Sequence, residues 1–304
     1  MRKSVEGAGH SAGSSCCAAL LVLAAAISPA LGADVAPAGY AGSSVCAQCH
    51  DDLAAGLSRT AHADVALPSG VTGCEACHGP GQAHADGDTE QIRRFSRLGR
   101  REASEVCLNC HQRGELTLFV GSSHDARSVG CTACHSPHRP QSSRALLKAQ
   151  VEVELCASCH RQQRAALLRS SHMPLREGRL TCSSCHSPHG GVGPSNLRQV
   201  SVNENCYSCH SEKRAPRLWE HPPVRENCAL CHDPHGSQHP PLLHVKLPRL
   251  CQQCHDEIGL RTTPLTSTQP GHFFPALRLF SRSCMQCHVD IHGSNHPSGS
   301  KFQR

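Results

Sequence analysis

The 304-residue chain is short of almost everything that builds a conventional protein core. Aromatic residues make up 3% of it, with one Trp, two Tyr and six Phe. A soluble chain of this length normally buries far more large apolar side chains, so the polypeptide alone does not supply an ordinary hydrophobic interior. No alternating strand pattern is present, which argues against a sheet. The longest apolar run, from Cys16 to Ile27, covers about a dozen residues, well below the ~20 needed for a membrane-spanning helix. Methionine is equally scarce, with three residues. Met1 opens the chain, Met285 lies inside a cysteine motif, and Met173 stands beside His172, a better metal ligand. Thioether sulfur is thereby excluded as a general metal ligand.

Cysteine and histidine are abundant, at 22 and 24 residues. The string Cys-x-x-Cys-His occurs ten times: Cys46, Cys49 and His50; Cys74, Cys77 and His78; Cys107, Cys110 and His111; Cys131, Cys134 and His135; Cys156, Cys159 and His160; Cys182, Cys185 and His186; Cys206, Cys209 and His210; Cys228, Cys231 and His232; Cys251, Cys254 and His255; Cys284, Cys287 and His288. Each copy is a signal for covalent attachment of c-type haem. The two sulfurs bond the porphyrin edge and the histidine ligates the iron from one face. Zinc ribbons also use Cys-x-x-Cys, but zinc does not demand a histidine after the second cysteine every time. The motifs consume every cysteine except Cys16 and Cys17, so no structural disulfide is predicted. Ten covalently bound haems also account for the missing aromatics: the flat macrocycles form the interior, and the apoprotein should have no fold of its own.

Arg2 and Lys3, the apolar run and the small-residue stretch Ala30-Leu31-Gly32-Ala33 match the order of a secretory signal, predicting a leader over 1–33 with cleavage after Gly32 or Ala33. The remainder, 34–304, reads as one decahaem electron-transfer domain exported to the periplasm. Its formal charge of +6 misleads, because haem propionates shift the total by roughly −10 to −20. The holoprotein should be acidic, and basicity gives no support for a nucleic-acid partner.

The motifs fall into five pairs, giving repeats at roughly 40–100, 101–150, 151–200, 201–245 and 246–304. Periodicity on this scale marks a repeat architecture whose units touch mainly their neighbours. Each repeat contains two further histidines. The first is His62, His124, His172, His221 or His272; the second is His84, His138, His189, His235 or His292. Three of the second set sit in near-identical strings, Cys134-His135-Ser136-Pro137-His138, Cys185-His186-Ser187-Pro188-His189 and Cys231-His232-Asp233-Pro234-His235. These ten are the candidate distal iron ligands, matching ten motif histidines as proximal ligands. His239, His244 and His296 are spare and read as surface residues, with His296 a rival to His292. A histidine three residues beyond a proximal histidine cannot pass around the macrocycle to the opposite face, because each residue spans at most ~3.3–3.6 Å. His138, His189 and His235 must therefore serve other irons, and the simplest expectation is the odd motif of the same pair. An iron with two protein ligands has no open position for substrate, so the residues point to a non-catalytic electron carrier with relatively low potentials.

The predicted fold is a multihaem cytochrome c that is mostly irregular, with short α-helices and no significant sheet, arranged as an elongated stack of five di-haem repeats. Short helices are expected at Asp51–Ser58, Gln91–Leu98, Glu152–His160 and Gln162–Leu168, with Pro and Gly breaking anything longer. The basic cluster Arg93, Arg94, Arg97, Arg100 and Arg101 reads first as a solvated helical face or propionate partners, and second as a docking surface for an acidic redox partner. Trp219, Tyr40 and Tyr207 read as structural.

Taken together, the ten motifs, the five-fold repeat, the Cys-His-x-Pro-His strings and the tail His292-Gly293-Ser294-Asn295-His296-Pro297 resemble the periplasmic decahaem cytochromes of outer-membrane porin–cytochrome conduits, the MtrA/DmsE/PioA type. The resemblance implies an extended haem wire inserted into an outer-membrane β-barrel porin. Its electron partners would be a periplasmic or inner-membrane cytochrome and an outer-surface multihaem cytochrome. Such a wire serves extracellular respiration, or iron oxidation with electrons flowing inward. The competing readings are a soluble periplasmic shuttle or capacitor, and a multihaem reductase with one open haem. A bilayer core of ~30 Å tolerates no exposed irregular backbone, so a strand-poor, haem-dense chain crosses only inside a closed barrel.

Overall fold

The computed structural model describes residues 38–214, 216–255 and 283–303. The predicted leader and His272 lie outside the described residues. Among the described residues there are only short helical segments and isolated β-bridges, and no strand. The longest helix among the described residues is Arg100–Leu108, nine residues, and no described helix is long and apolar enough to cross a membrane. No described side chain is completely removed from solvent, and the buried apolar set is confined to scattered residues such as Val71, Phe119, Leu167, Leu197, Leu243 and Phe302. The mostly irregular, sheet-free fold read from composition is the fold observed.

The motif itself dictates the local structure. In motif after motif the histidine N–H donates to the carbonyl of the first cysteine, as in His50 to Cys46 at 3.0 Å, His160 to Cys156 at 3.0 Å and His288 to Cys284 at 2.9 Å. This i to i−4 bond closes one helical turn, which brings positions i and i+3, the two cysteines, to one face. Odd motifs sit at the ends of helices Ser43–Cys46, Arg100–Leu108, Glu152–Ala157, Val202–Tyr207 and Arg249–Gln252. Even motifs form single turns, such as Cys131–Cys134 and Cys228–Leu230.

A polar side chain on the odd helix ties the two motifs of a pair together. Ser43 Oγ accepts from the Cys74 N–H at 3.1 Å, Ser104 Oγ from Cys131 at 3.3 Å, and Asn203 Oδ1 from Cys228 at 2.7 Å. Each stands three residues before the odd cysteine. In the third repeat Val153 occupies that place, and Glu152 takes over by accepting from the Ser183 N–H at 2.6 Å. These side chains satisfy orphan N–H groups at the start of a helical turn, as N-caps do, but from a distant part of the chain.

The predicted helices at Asp51, Glu152 and Gln162 are present as Asp51–Leu57, Glu152–Ala157 and Arg161–Ala166. The one expected over Gln91–Leu98 is not. That segment folds back on the second motif: the Arg93 N–H donates to the His78 carbonyl at 3.0 Å, Arg93 Nη1 to the Cys77 carbonyl at 2.9 Å, and Phe95 packs edge-on against the His78 ring. Tertiary contact has overridden local propensity. The basic cluster is accordingly no single helical face. Arg97 pairs with Glu90, and Arg100 and Arg101 open the following helix.

Candidate metal centres

Among the described residues, eight histidine pairs face each other at nearly constant separation. Their ring centres lie 6.3 Å apart for His50–His84, 5.9 Å for His62–His111, 6.0 Å for His78–His138, 6.2 Å for His124–His160, 6.1 Å for His135–His189, His186–His235 and His221–His255, and 6.2 Å for His232–His292. Direct ring stacking would bring the centres closer. An imidazole nitrogen bonds a transition metal at about 2.0–2.1 Å, and the ring centre lies about 1.1 Å behind it. Two imidazoles on opposite faces of one iron therefore have centres roughly 6.3 Å apart. Each pair joins one motif histidine to one of the ten additional histidines. The arrangement fits a haem iron held between two imidazoles.

The pairing departs from the simplest expectation. His138, His189 and His235 do not face the odd motif of their own repeat. Each faces the even motif of the preceding one: His78, His135 and His186 respectively. His292 likewise faces His232. In the other direction His62, His124 and His221 face the odd motif of the next repeat, at His111, His160 and His255. Among the described residues, only the first repeat pairs internally, through His50–His84. The reason is reach: the five-residue Cys-His-x-Pro-His string projects its last histidine away from its own motif and across the junction.

Close backbone approach accompanies each crossing. A Cβ on Gly190, directly after His189, would lie 2.2 Å from the Leu118 carbonyl oxygen, and one on Gly236, after His235, would lie 2.2 Å from that of Ala166. Both glycines have positive φ, 120° and 138°, so any other residue meets both strain and collision. At the first junction the small residue is on the other side: Arg139 comes after His138, and Gly56 gives way to the His138 carbonyl. The crossings are also linked to one another. His124 Nδ1 donates to the carbonyl of Pro188, the residue before His189, at 2.8 Å.

Even-motif histidines carry a second tie. Nδ1 donates to a backbone carbonyl further along the chain: His78 to Arg93 at 2.8 Å, His135 to Ala145 at 2.6 Å, His186 to Ser195 at 2.9 Å, His232 to Pro241 at 2.9 Å and His288 to Lys301 at 2.5 Å. This bond fixes the tautomer, leaves Nε2 for a metal and raises ligand basicity. The carbonyls are aimed by returning segments with left-handed non-glycine residues, Ala145 and Leu146, Ser195 and Asn196, Leu242, and Phe302. Bridges His135–Leu147, His186–Leu197 and His232–Leu243 hold three of these segments against the motifs. One residue beyond the leucine, Lys148, Arg198 and His244 each donate to the carbonyl of the motif's first variable residue, Thr132, Ser183 and Ala229. His244 is thus a structural counterpart of a lysine and an arginine. His296 accepts from the Ser298 N–H through Nδ1 and is exposed.

Burial depresses the basicity of His62, His138, His189, His221, His235 and His292, with neighbouring histidines adding to the effect. A neutral imidazole keeps the lone pair that a metal needs. The ring nitrogens His62 Nδ1 and His84 Nδ1 are buried without a protein hydrogen-bond partner.

His172 is the exception. Its ring is not against a motif histidine; the Glu177 carboxylate lies 3.0 Å from Nε2 and the Arg169 carbonyl 2.8 Å from Nδ1. The Glu177 hydrogen bond, and after it that of Arg169, raises its pKa. Among the described residues no ring faces His210, whose Nδ1 is 3.3 Å from Glu212, or His288.

The cysteines connect the motifs in sequence order. First cysteines adjoin within a pair: Cys46 with Cys74, Cys107 with Cys131, Cys156 with Cys182, Cys206 with Cys228, and Cys251 with Cys284. Second cysteines of neighbouring pairs influence each other through charge: burial, together with the charge of Cys110, Cys159, Cys209 and Cys254, raises the pKa of Cys77, Cys134, Cys185 and Cys231 respectively. None is in a disulfide. Glu152 also lies within metal-binding distance of Cys156 and Cys182, but both cysteines belong to motifs and Glu152 is the pair-tying cap.

Comparison with known proteins accords with these centres. The doubled CXXCH motif family matches residues 172–215 and 221–259, and the cytochrome c-type protein NrfB-like family matches residues 74–159. The chain is 41% identical to multiheme cytochrome MtrA of Shewanella baltica (strain OS185) over 278 residues, 86% of this chain and 81% of the relative. An undecaheme cytochrome from the S-layer of Carboxydothermus ferrireducens shares 21% identity over 77% of this chain and 33% of its own length, with a TM-score of 0.12. Doubled attachment motifs in the second half of the chain, a cytochrome c-type match in the first, and two-fifths identity along most of its length make it a member of the MtrA-type multihaem cytochromes c, which bind haem covalently and carry electrons instead of catalysing a reaction.

Proposed function

We propose that the chain holds ten haems c, each between two imidazoles, and carries electrons along them across the outer membrane inside a β-barrel partner. Thioethers would form at the twenty motif cysteines, with the ten motif histidines as proximal ligands. The distal ligands would be His84, His138, His62, His189, His124, His235, His172, His292, His221 and His272 for motifs one to ten in order. His172 and His272 are assigned to the seventh and tenth by elimination and by the alternation of the others. When bound, haem supplies the redox centre; the paired histidines keep both axial positions filled, and the first-cysteine contacts keep the two attachment sites of a pair adjacent.

The observation that carries this reading is the near-constant 5.9–6.3 Å spacing of the eight described imidazole pairs, seven of which join one repeat to the next. The similarity to MtrA supports a 1–33 leader, a periplasmic location, a porin partner, and exchange with a periplasmic or inner-membrane cytochrome on one side and an outer-surface cytochrome on the other. Extracellular acceptors or inward flow from ferrous iron are both compatible with such a conduit. The test is co-purification from outer membranes with a barrel protein, then reconstitution in liposomes enclosing a redox dye. Dye reduction from outside, dependent on both proteins, is expected. A haem count well below ten, or a protein that stays soluble and barrel-free, would refute the conduit.

A further inference from the structure

We propose that Glu152 sets the potential of the central haem pair: its carboxylate, fixed beside the sulfurs of the fifth and sixth motifs, makes both haems harder to reduce and turns that pair into the energetic high point of the wire. This rests on the decahaem reading above. Repeats one, two and four tie their two motifs with a neutral side chain, Ser43, Ser104 or Asn203, three residues before the odd cysteine. In the third repeat Val153 stands there, and the tie passes one residue back to Glu152. Both of its oxygens accept, one from the Ser183 N–H at 2.6 Å and the other from Ser183 Oγ at 2.8 Å. That pattern suits a carboxylate, which is an acceptor at both oxygens.

A Glu152 oxygen and the sulfurs of Cys156 and Cys182 lie within 4.8 Å of one another, the only such grouping of an acid with two motif sulfurs among the described residues. These sulfurs are where the fifth and sixth porphyrins would attach. The same charge opposes ionisation of both thiols. Arg198 reaches the Ser183 carbonyl at 3.2 Å, but its ion pair is with Glu115. The buried acid of the second motif, Glu75, is held differently: the N–H groups of Ala41, Gly42 and Gly81 meet it at 2.8–2.9 Å, so three backbone dipoles oppose its charge. Reduction adds an electron to the iron, and a fixed anion disfavours it. At about 10 Å and an effective dielectric of about 20, the effect is about tenfold in each reduction equilibrium, or about 59 mV for a one-electron couple. Electrons then equilibrate within haems one to four, and within seven to ten, faster than they cross between these arms.

The experiment is a spectroelectrochemical titration of the full-length holoprotein, with haems counted by mass spectrometry. Glu152→Gln keeps an acceptor for Ser183 and removes the charge. Two of the ten haem equivalents should move to higher potential, by about tenfold in reduction equilibrium, and the other eight should stay. Glu152→Val combined with Val153→Ser restores the neutral tie of the second repeat and should move the same two; if Glu152→Gln does not mature, this variant decides alone. Glu154→Gln, which changes an exposed acid on the same helix, should move none. An unchanged titration with ten haems bound, or a shift in Glu152→Gln that the double variant lacks, would overturn the proposal while leaving the wire intact. A wild type carrying fewer than ten haems would instead fail the underlying reading.

Discussion

Odd and even motifs share one five-residue signature and live in different surroundings. The even histidines His78, His135, His186, His232 and His288 are partly buried, and each is tied through Nδ1 to a backbone carbonyl. The odd histidines His50, His111, His160, His210 and His255 are exposed, and among the described residues none has such a carbonyl. The difference originates in the chain downstream of each motif. The even motifs of the second, third and fourth repeats lead into a crossing histidine and a returning leucine segment that closes over them; an odd motif leads into a helix or turn that runs away from it. Identical ligands are thereby tuned by their second partners, with the more basic imidazoles on the even irons. Two classes of potential, alternating along the chain, are the expected consequence once haem is bound.

The sharpest way to break this comparison is to block a crossing. Gly190→Val and Gly236→Val put a branched side chain where even a Cβ meets a carbonyl at 2.2 Å, and should destabilise the holoprotein by about 3 kcal/mol or more, measured by denaturant unfolding under haem absorbance. Next in size is His189→Ala, which should leave one haem high-spin. Magnetic circular dichroism of the double variant with His135→Ala should show no further high-spin centre; a second one would mean that His189 serves another motif.

The alternation itself is tested by potentiometry. Asn196→Pro cannot adopt the left-handed φ of 57° that aims the Ser195 carbonyl at His186, because proline fixes φ near −65°. The affected iron, an even one, should move to higher potential, towards the odd class, while the other irons keep theirs. The smallest expected effect is that of Glu115→Gln, which removes an exposed partner of Arg198 across a repeat junction; it should change stability by no more than about 1 kcal/mol. A larger loss would show that the junctions depend on surface charge instead of the crossing backbone.

Much of the site was legible in the sequence. The attachment motifs needed only spacing, and eight of the ten additional histidines expected from the repeat and from the lack of methionine face a motif histidine, whereas His172 does not and His272 lies outside the described residues. The sheet-free fold was implied by composition. The wiring was not legible, because a loop length excludes one partner without choosing among the rest; the crossing direction depends on a backbone turn at Gly190 and Gly236. The returning segments were hidden for a related reason. Apart from Asn196, their left-handed positions are held by Ala145, Ser195 and Leu242, residues that carry no glycine-like signal. What signal existed was a leucine recurring eleven or twelve residues beyond His135, His186 and His232, with Lys148, Arg198 or His244 directly after it. The lost helix at Gln91–Leu98 shows the same limit, since a residue pattern does not reveal that Arg93 will be claimed by His78.

Reciprocal crossing also governs how such a protein gains or loses length. A unit cut out on its own would leave irons short of a partner and histidines with nothing to bind. A unit duplicated within the series gives one histidine in each direction and receives one from each side, so every iron is still matched. The His50–His84 closure in the first repeat leaves that end complete in itself. Wires of this design should grow or shrink two haems at a time, with their terminal caps preserved.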